Sequence, residues 1–309
     1  MKNLFLRSIG CILLLAIHFT CSAQNNSRLI KSKEDTLKHL GSQIVNAEFA
    51  EQRFRADSHF TRVLVRALQT PYSFQFPFDS VSTISRLYSP DSSFRIFTWQ
   101  VSRDPNTFRR HGAIQMKTND GSLKLFPLID RSQLINNQSD TVMNNEWWIG
   151  SIYYKILVNE HNNQKIYTLL GYDEFSARST RKRIEILTFN ASGGPVFGKP
   201  IFVFSNGSLK KNNTSRYWIE YKKNTNASIK YDSELNMIIF DHLVSETSEA
   251  GKYETYVPDG DYEAFKFENG KWIYIEKPFD FKLQDGQAPV EKPVLESKFP
   301  QKKSGKKGI

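Results

Sequence analysis

The sequence contains very little cysteine. Only two of its 309 residues are cysteines, Cys11 and Cys21, and both lie within the first 24 residues. The rest of the chain therefore has no thiol that could form a disulfide, attack a substrate or bind a metal as a thiolate. Small extracellular domains commonly depend on disulfides, but a chain of this length can bury a sufficient apolar core without them.

Familiar catalytic and metal-binding motifs are missing as well. The histidines that follow residue 24 are too far apart in sequence to share one helical turn, which argues against a zinc site. The chain has no Gly-x-Ser-x-Gly nucleophile turn and no Gly-Lys-Ser/Thr phosphate loop. The run from Asp259 to Glu263 resembles half of a calcium loop, but Ala264 and Gly270 stand where that loop requires a glycine and a glutamate. The sequence therefore predicts neither a metal nor another cofactor.

The first 23 residues have the three parts of a secretory signal peptide. Lys2 and Arg7 form a basic start, residues 9–19 form an apolar run, and small residues end the segment at Ala23. An apolar run of this length is too short to span a bilayer as a stable helix. We therefore expect cleavage after Ala23 and export to the periplasm or the medium, with no transmembrane span in the mature chain. The alternative is a lipid anchor on Cys21, although bulky residues precede it where a lipobox requires small ones.

The positive charge is concentrated at the end of the chain. The formal net charge is +10, and five lysines lie between residues 298 and 309, where there is no acidic residue. Lysine runs that contain glycine, serine and proline are typical of solvated tails, which contact anionic surfaces without specificity. Residues 284–309 are therefore predicted to be a flexible tail. Specific nucleic-acid binding is not expected, because the tail lacks the alternation of lysines and aromatic residues that base stacking uses.

Residues 24–72 have the apolar spacing of helices. Apolar residues recur at steps of three and four, first at Leu37, Leu40, Ile44 and Ala47, and again at Phe60, Val63, Leu64, Ala67 and Leu68. This period predicts one long helix or a helical hairpin, which we expect to pack against the sheet that follows. Ser58 is the expected N-cap of the second stretch, and Pro71 ends it.

From residue 73 to residue 283 the apolar period changes to two, which is typical of β-strands. Turn residues separate successive strands, as Asn119-Asp120-Gly121 does, because Asp-Gly tolerates the positive φ angles of a tight turn. Four strand pairs are predicted: 113–117 with 123–128, 149–158 with 165–170, 217–222 with 227–231, and 262–267 with 272–276. Hairpins without helices between them predict a mainly β domain, an antiparallel meander with an irregular propeller-like or sandwich architecture.

Two pairs of polar residues at strand ends are candidate catalytic groups. Asp173 and Glu174 follow one predicted strand, and Asp241 and His242 follow another. Glycoside hydrolysis uses two carboxyl groups across a cleft, one as the acid and the other as the base or nucleophile. Acidic residues at strand ends also occur simply as turn formers, which is the simpler interpretation here.

Candidate binding residues fall in two short segments. Trp147 and Trp148 offer a stacking surface, although neighbouring residues of a strand face opposite sides, so that one ring would belong to the core. Arg178, Arg181 and Arg183 lie close together in sequence and could hold a phosphate or a polyanion, since guanidinium groups match its oxygens. The alternative is a solvated loop whose charges are balanced by nearby acids, namely Asp173, Glu174 and Glu185.

Five segments form a pattern in a fixed order: Ile152–Ile156, Tyr167–Asp173, Gly194–Phe202, Ile239–Leu243 and Val257–Phe265. Over roughly residues 90–280 this pattern resembles a family of exported bacterial β-rich proteins to which no activity is assigned. The resemblance implies export and a shared architecture and nothing about catalysis. At Tyr172–Phe175 the chain departs from a Trp-Asp-Gly-Asn type of turn, which weakens a role for Glu174 as an essential acid.

These features together lead to an expected function. With no nucleophile turn, metal spacing or phosphate loop, we expect an exported, non-catalytic binding or structural module of the cell envelope. Its partner would be an envelope polymer, a glycan or another protein. The alternative is a carbohydrate-active hydrolase that uses the paired carboxylates.

Overall fold

The computed structural model describes residues 25–104, 106–204 and 213–279. The predicted signal peptide, both cysteines and the predicted lysine-rich tail lie outside these residues. Within them the chain is mainly β, with several antiparallel sheets that follow two helices, as the sequence predicts. The described residues up to Pro278 form one compact unit.

Two helices precede the sheets. Helix α1 is continuous from residue 25 to residue 46, and helix α2 spans Ala50–Leu68. The helical segment is therefore two helices rather than one. Because α2 begins after Phe49, Ser58 lies inside it, and the prediction that Ser58 is an N-cap is wrong. Neither helix in the described ranges is long and apolar enough to cross a membrane.

The strands follow in chain order. They are β1 (Ser85–Tyr88), β2 (Phe94–Asp104), β3 (Thr107–Met116), β4 (Lys124–Ile129), β5 (Met143–Asn144), β6 (Ile152–His161), β7 (Gln164–Asp173), β8 (Ser179–Phe189), β9 (Pro195–Phe197), β10 (Phe202–Val203), β11 (Arg216–Lys222), β12 (Ile229–Asp232), β13 (Met237–Ser245), β14 (Tyr256–Glu268) and β15 (Lys271–Ile275). Three hairpins confirm the predicted pairings: β3 with β4, β6 with β7, and β14 with β15. In the last of these turns Asn269 and Gly270 both have positive φ angles, 50° and 79°, as a tight hairpin turn requires.

Three sheets result from these pairings. The first sheet has the order β1-β2-β3-β4, and the third has the order β10-β15-β14-β13-β12, in which β10 runs parallel to β15. The middle sheet has the order β5-β9-β8-β7-β6, and β11 adds to it by pairing with β8. None of the sheets in the described residues closes on itself.

One predicted hairpin is wrong. Strand β11 does not pair with β12; it pairs antiparallel with β8, with Trp218 opposite Arg183, while β12 pairs with β13. Strand β9 covers only the end of β8 at Leu187–Phe189. The preceding part of β8 is therefore available to β11. The pairing of β11 with β8, which is distant in sequence, forms instead of the predicted pairing of β11 with β12.

The helices and sheets stack in four layers, with apolar residues buried at each contact. Phe97 and Trp99 of β2 pack with the helices, whereas Phe94 and Ile96 of the same strand pack against the middle sheet. On the other side of the middle sheet, Ile184 packs with residues of the third sheet. The middle sheet is therefore covered on both faces, which explains why β7 and β8 are buried almost throughout.

Candidate functional site

Asp173 is the buried partner of two arginines. Its carboxylate, at the end of β7, accepts hydrogen bonds from Arg110 at 3.0 Å and from Arg183 at 3.4 Å. Arg110 also donates to the backbone carbonyl of Glu174 at 3.3 Å. Both carboxylate oxygens of Asp173 are thus engaged inside the protein, an arrangement typical of a structural ion pair.

The structure divides the predicted catalytic residues between two sheets. Glu174 follows β7 in the middle sheet and forms an ion pair with Lys223. Asp241 and His242 lie on β13 in the third sheet, where the Asp241 carboxylate accepts a backbone N–H at 2.6 Å. Desolvation raises the pKa of Asp259, but the hydrogen bond with His242 at 2.8 Å, the backbone hydrogen bond from Asp261 and the electrostatic attraction to His242 together lower it. Each of these groups already has a partner within the protein.

The predicted arginine cluster is divided by the start of β8. Arg178 lies in the loop before the strand, is exposed, and is 3.9 Å from Glu254. Arg181 pairs with Glu220 of the neighbouring strand β11 at 2.8 Å, and Arg183 is buried. The solvated-loop interpretation is therefore wrong for Arg181 and Arg183, because both belong to a strand that is paired on its two edges.

Trp147 and Trp148 have different environments. Trp148 is fully buried and donates its indole N–H to the Tyr153 hydroxyl at 2.9 Å. Burial raises the pKa of Tyr153. Trp147 ends a short 3-10 turn that is capped by the side chain of Asn144, and it is 48% exposed. Only Trp147 offers a ring to a ligand.

A basic groove of about 720 Å³ lies at one end of the first sheet. Four arginines line it, and Asp130 is the only acid among its lining residues. We call this feature the arginine groove and define it by Arg103, Arg109, Arg110 and Arg131, together with Phe108 and Leu134. A cavity of this size with convergent donors is the usual form of a binding site.

The register of the first sheet brings these arginines together. His111 of β3 stands opposite Ile129 of β4, and the residues two positions further along are Arg109 and Arg131. Arg103 lies at the register irregularity between β2 and β3. Like charges on neighbouring strands repel each other, so this arrangement does not stabilise the sheet.

Three of the four arginines form no ion pair. Within the described ranges, the side chains of Arg103, Arg109 and Arg131 form no salt bridge and donate no hydrogen bond. The pKa of Asp104, next to Arg103 in the chain, is lowered first by a backbone hydrogen bond from Asn106 and also by the charge of Arg103. Arg110 differs, because Asp173 fixes it and Asp130 lies 3.6 Å away. The groove therefore presents three guanidinium groups whose N–H donors are available to a ligand.

Helix α2 contributes a buried carboxylate beside the groove. Asp57 accepts a hydrogen bond from the Trp99 indole at 2.7 Å, and its other oxygen lies 3.0 Å from Nε2 of His111. The His111 ring stacks on Trp99 with 5.3 Å between ring centroids. These three side chains hold the helix against the sheet and fix the His111 ring, which lines the groove.

An exposed apolar patch adjoins the groove. Leu134 lines both the groove and a second cavity of about 500 Å³, which also contains Val142 and Trp147. We call this second surface the Trp147 patch; its polar members include Asn136 and Asn144. Leu134 and Val142 are 61% and 51% exposed. Adjacent exposed apolar groups of this kind are typical of interaction surfaces.

The sequence alone did not reveal the groove, because its arginines come from separate segments. Residues 103, 109–110 and 131 meet only through the pairing of β2, β3 and β4. The one signal of the groove in the sequence was the adjacent pair Arg109-Arg110 just before a predicted β-strand segment. The nearest acid in sequence is Asp104, which precedes Arg109 by five residues.

The described residues contain no group of three or more histidine, cysteine or acidic side chains arranged to hold a metal ion. The groups that the site offers to a ligand are its guanidinium groups and the exposed ring of Trp147. Comparisons with protein-family models, with curated proteins and with solved structures found no match to this chain.

Proposed function

We propose that this protein is an exported, non-catalytic binding module of the cell envelope, with the arginine groove as its binding surface. The observation that carries the proposal is that, within the described residues, Arg103, Arg109 and Arg131 lie in one groove and form no salt bridge. Cations held together in this way repel one another, and a ligand that brings negative charge relieves the repulsion. The proposed partner is therefore an anionic component of the envelope.

Export is supported by the basic start, the apolar run and the small residues before Gln24. Intact-mass analysis of the protein recovered from the periplasm or medium tests it. We expect a chain that begins at Gln24. A chain that still begins at Met1, or that stays in the cytoplasm, would contradict export, and a lipid mass on Cys21 would indicate the anchored form instead.

The binding role is tested by co-sedimentation of the purified protein with an isolated cell-envelope fraction. The groove variant carries Arg103→Gln, Arg109→Gln and Arg131→Gln. A control variant with the same change in net charge carries substitutions at exposed helical arginines that form no ion pair: Arg28→Gln, Arg62→Gln and Arg66→Gln.

We expect the wild type and the control variant to sediment with the envelope fraction and the groove variant to stay in the supernatant. Equal sedimentation of the two variants would contradict the proposal, because net charge rather than the groove would then determine binding. Product analysis of each bound polymer tests the hydrolase alternative. Cleavage that disappears in Asp241→Asn would replace the binding role with a catalytic one.

A further inference from the structure

The arginine groove and the Trp147 patch are continuous, since Leu134 lines both. One side of this combined surface offers charged donors, and the other offers an exposed aromatic ring with neighbouring amides. A ligand that spans both must therefore carry negative charge at one end and a flat, hydroxyl-bearing surface at the other.

We propose that the combined surface binds an acidic polysaccharide. Its acidic groups contact Arg103, Arg109 and Arg131, and one of its sugar rings stacks on Trp147. This inference rests on the proposed function, because it identifies the ligand class of the same site. The acidic groups share one chemistry, whether they are carboxylates or sulfates, since both present paired oxygens to a guanidinium fork.

The arginines favour a flexible polyanion over a single anion. Arg109 lies in β3 opposite Val101 of β2, just beyond the stretch of β3 that pairs with β4, and Arg131 follows the end of β4. Arg103 lies at the register irregularity at the end of β2. The three guanidinium groups are therefore spread along the groove, whose volume is about 720 Å³. A chain with repeated acidic groups can contact several of them at once, which multiplies affinity.

The Trp147 patch supplies the features that sugars require. The side-chain oxygen of Asn144 accepts the backbone N–H groups of Glu146 and Trp147, which holds the ring in place. Asn136 forms no side-chain hydrogen bond within the described part of the chain, so its amide is available to sugar hydroxyls. The C–H bonds on one face of a sugar ring pack on an aromatic face.

An acidic peptide is the competing occupant. It would neutralise the arginines as well, but it has no rigid ring to cover Trp147 and no hydroxyl groups for the patch amides. An acidic polysaccharide uses both halves of the surface, so the observations favour it.

The test is a titration of the purified protein with four probes, followed by calorimetry or by Trp fluorescence. The probes are oligogalacturonate, dextran sulfate, neutral galactan oligomers and oligoglutamate. We expect one or both acidic glycans to bind and the neutral galactan to bind at least about tenfold more weakly. The groove variant should lose at least about tenfold in affinity, while the control variant should change little.

Trp147 separates a sugar site from a purely electrostatic site. We expect Trp147→Ala to weaken acidic glycan binding about tenfold and Trp147→Phe to restore most of it, since a ring is all that stacking requires. The same substitutions should leave oligoglutamate binding unchanged.

Two other outcomes would separate an error in the ligand class from an error in the proposed function. If oligoglutamate binds as tightly as the acidic glycans and Trp147→Ala weakens neither, the ligand class is wrong while the proposed binding role stands. If no acidic probe binds and the groove variant still sediments with the envelope fraction, the proposed function fails as well.

Discussion

The arginines of the middle sheet and those of the groove differ in whether they form salt bridges with acidic side chains. Arg216 and Glu185 are both fully buried and pair at 2.8 Å, and Arg181 pairs with Glu220 at the same distance. Arg183 is likewise buried against Asp173. The groove arginines, by contrast, form no salt bridges with any described residue, apart from Arg110, which stands between the two regions.

This difference separates two uses of the same side chain. A guanidinium inside the protein loses its hydration, so each buried one needs a carboxylate or carbonyls around it. A guanidinium in an open groove keeps its water, and an acid beside it would block access for a ligand. Arginines that pair with buried carboxylates therefore have a structural role, and the proposal assigns a binding role to the unpaired arginines that converge in the groove.

Glu185→Ala should have the largest effect on stability. It leaves Arg216 buried without its carboxylate, so we expect a loss of about 3–5 kcal/mol in the free energy of unfolding, measured by urea titration. The double variant Glu185→Leu with Arg216→Met should recover most of this loss. A single variant as stable as the wild type would mean that these arginines do not need their acids.

Asp57→Ala tests whether a buried polar contact also stabilises the packing of the helices on the first sheet. The substitution removes the acceptor of the Trp99 indole and the partner of His111, so we expect a loss of about 1–3 kcal/mol in the free energy of unfolding. Proteolysis should then cut first in α2. Glu51→Ala, at an exposed residue of the same helix, is the control and should change stability by less than about 0.5 kcal/mol.

The contribution of an ion pair to stability can also be tested by changing the pH, and Asp91 is the residue to use. Partial burial would raise the pKa of Asp91, but hydrogen bonds, first that from Lys165 and then those from serines and Tyr167, hold it well below its usual range. A lowered pKa means that the folded state is stabilised above about pH 4 and loses this contribution as the pH falls below that value. The expected contribution is about 1 kcal/mol.

We expect the urea midpoint of the wild type to fall more steeply between about pH 4 and pH 2 than that of Asp91→Asn. Parallel curves for the two proteins would show that this contact between the first and middle sheets does not contribute to the folded state.

The sequence predicted local structure well and distant pairing poorly. The hairpin turn at Asn269 and Gly270 has its own chemical signal, because both residues tolerate positive φ angles. The pairing of β11 with β8 has no local signal, since it joins residues such as Trp218 and Arg183 across a long stretch of chain. The break between the two helices at residues 47–49 was likewise without a proline or glycine to mark it.

The candidate site shows the same limit. Trp147 was visible as a candidate from the sequence, but Arg103, Arg109 and Arg131 were not, because only the strand register unites them. Arg183 looked like a loop residue in the sequence. Asp173 was among the acids expected to balance its charge, but only the adjacent strands show that the two are buried together. Which charged side chains pair across neighbouring strands is decided by the fold, so a short sequence motif does not reveal it.

The groove variant should have the smallest effect on stability. Because its three arginines form no salt bridge within the part of the chain that the structure describes, we expect each substitution to change the free energy of unfolding by no more than about 0.5 kcal/mol. Relief of repulsion between neighbouring strands would make the variant slightly more stable. A loss comparable to that of Glu185→Ala, measured in the same urea titration, would assign these arginines a structural role.

One measurement tests the central claim most directly: urea unfolding of the wild type and the groove variant, each with and without saturating oligogalacturonate or dextran sulfate. A ligand at about 100 times its dissociation constant stabilises the folded state by about 2.7 kcal/mol. We predict that stabilisation for the wild type and no more than about 1.4 kcal/mol for the groove variant, whose affinity is expected to be at least about tenfold weaker. Without a probe, the stabilities of the two proteins should be similar. A groove variant that is much less stable alone, yet equally stabilised by the probe, would contradict the claim that unmatched arginines mark the binding surface.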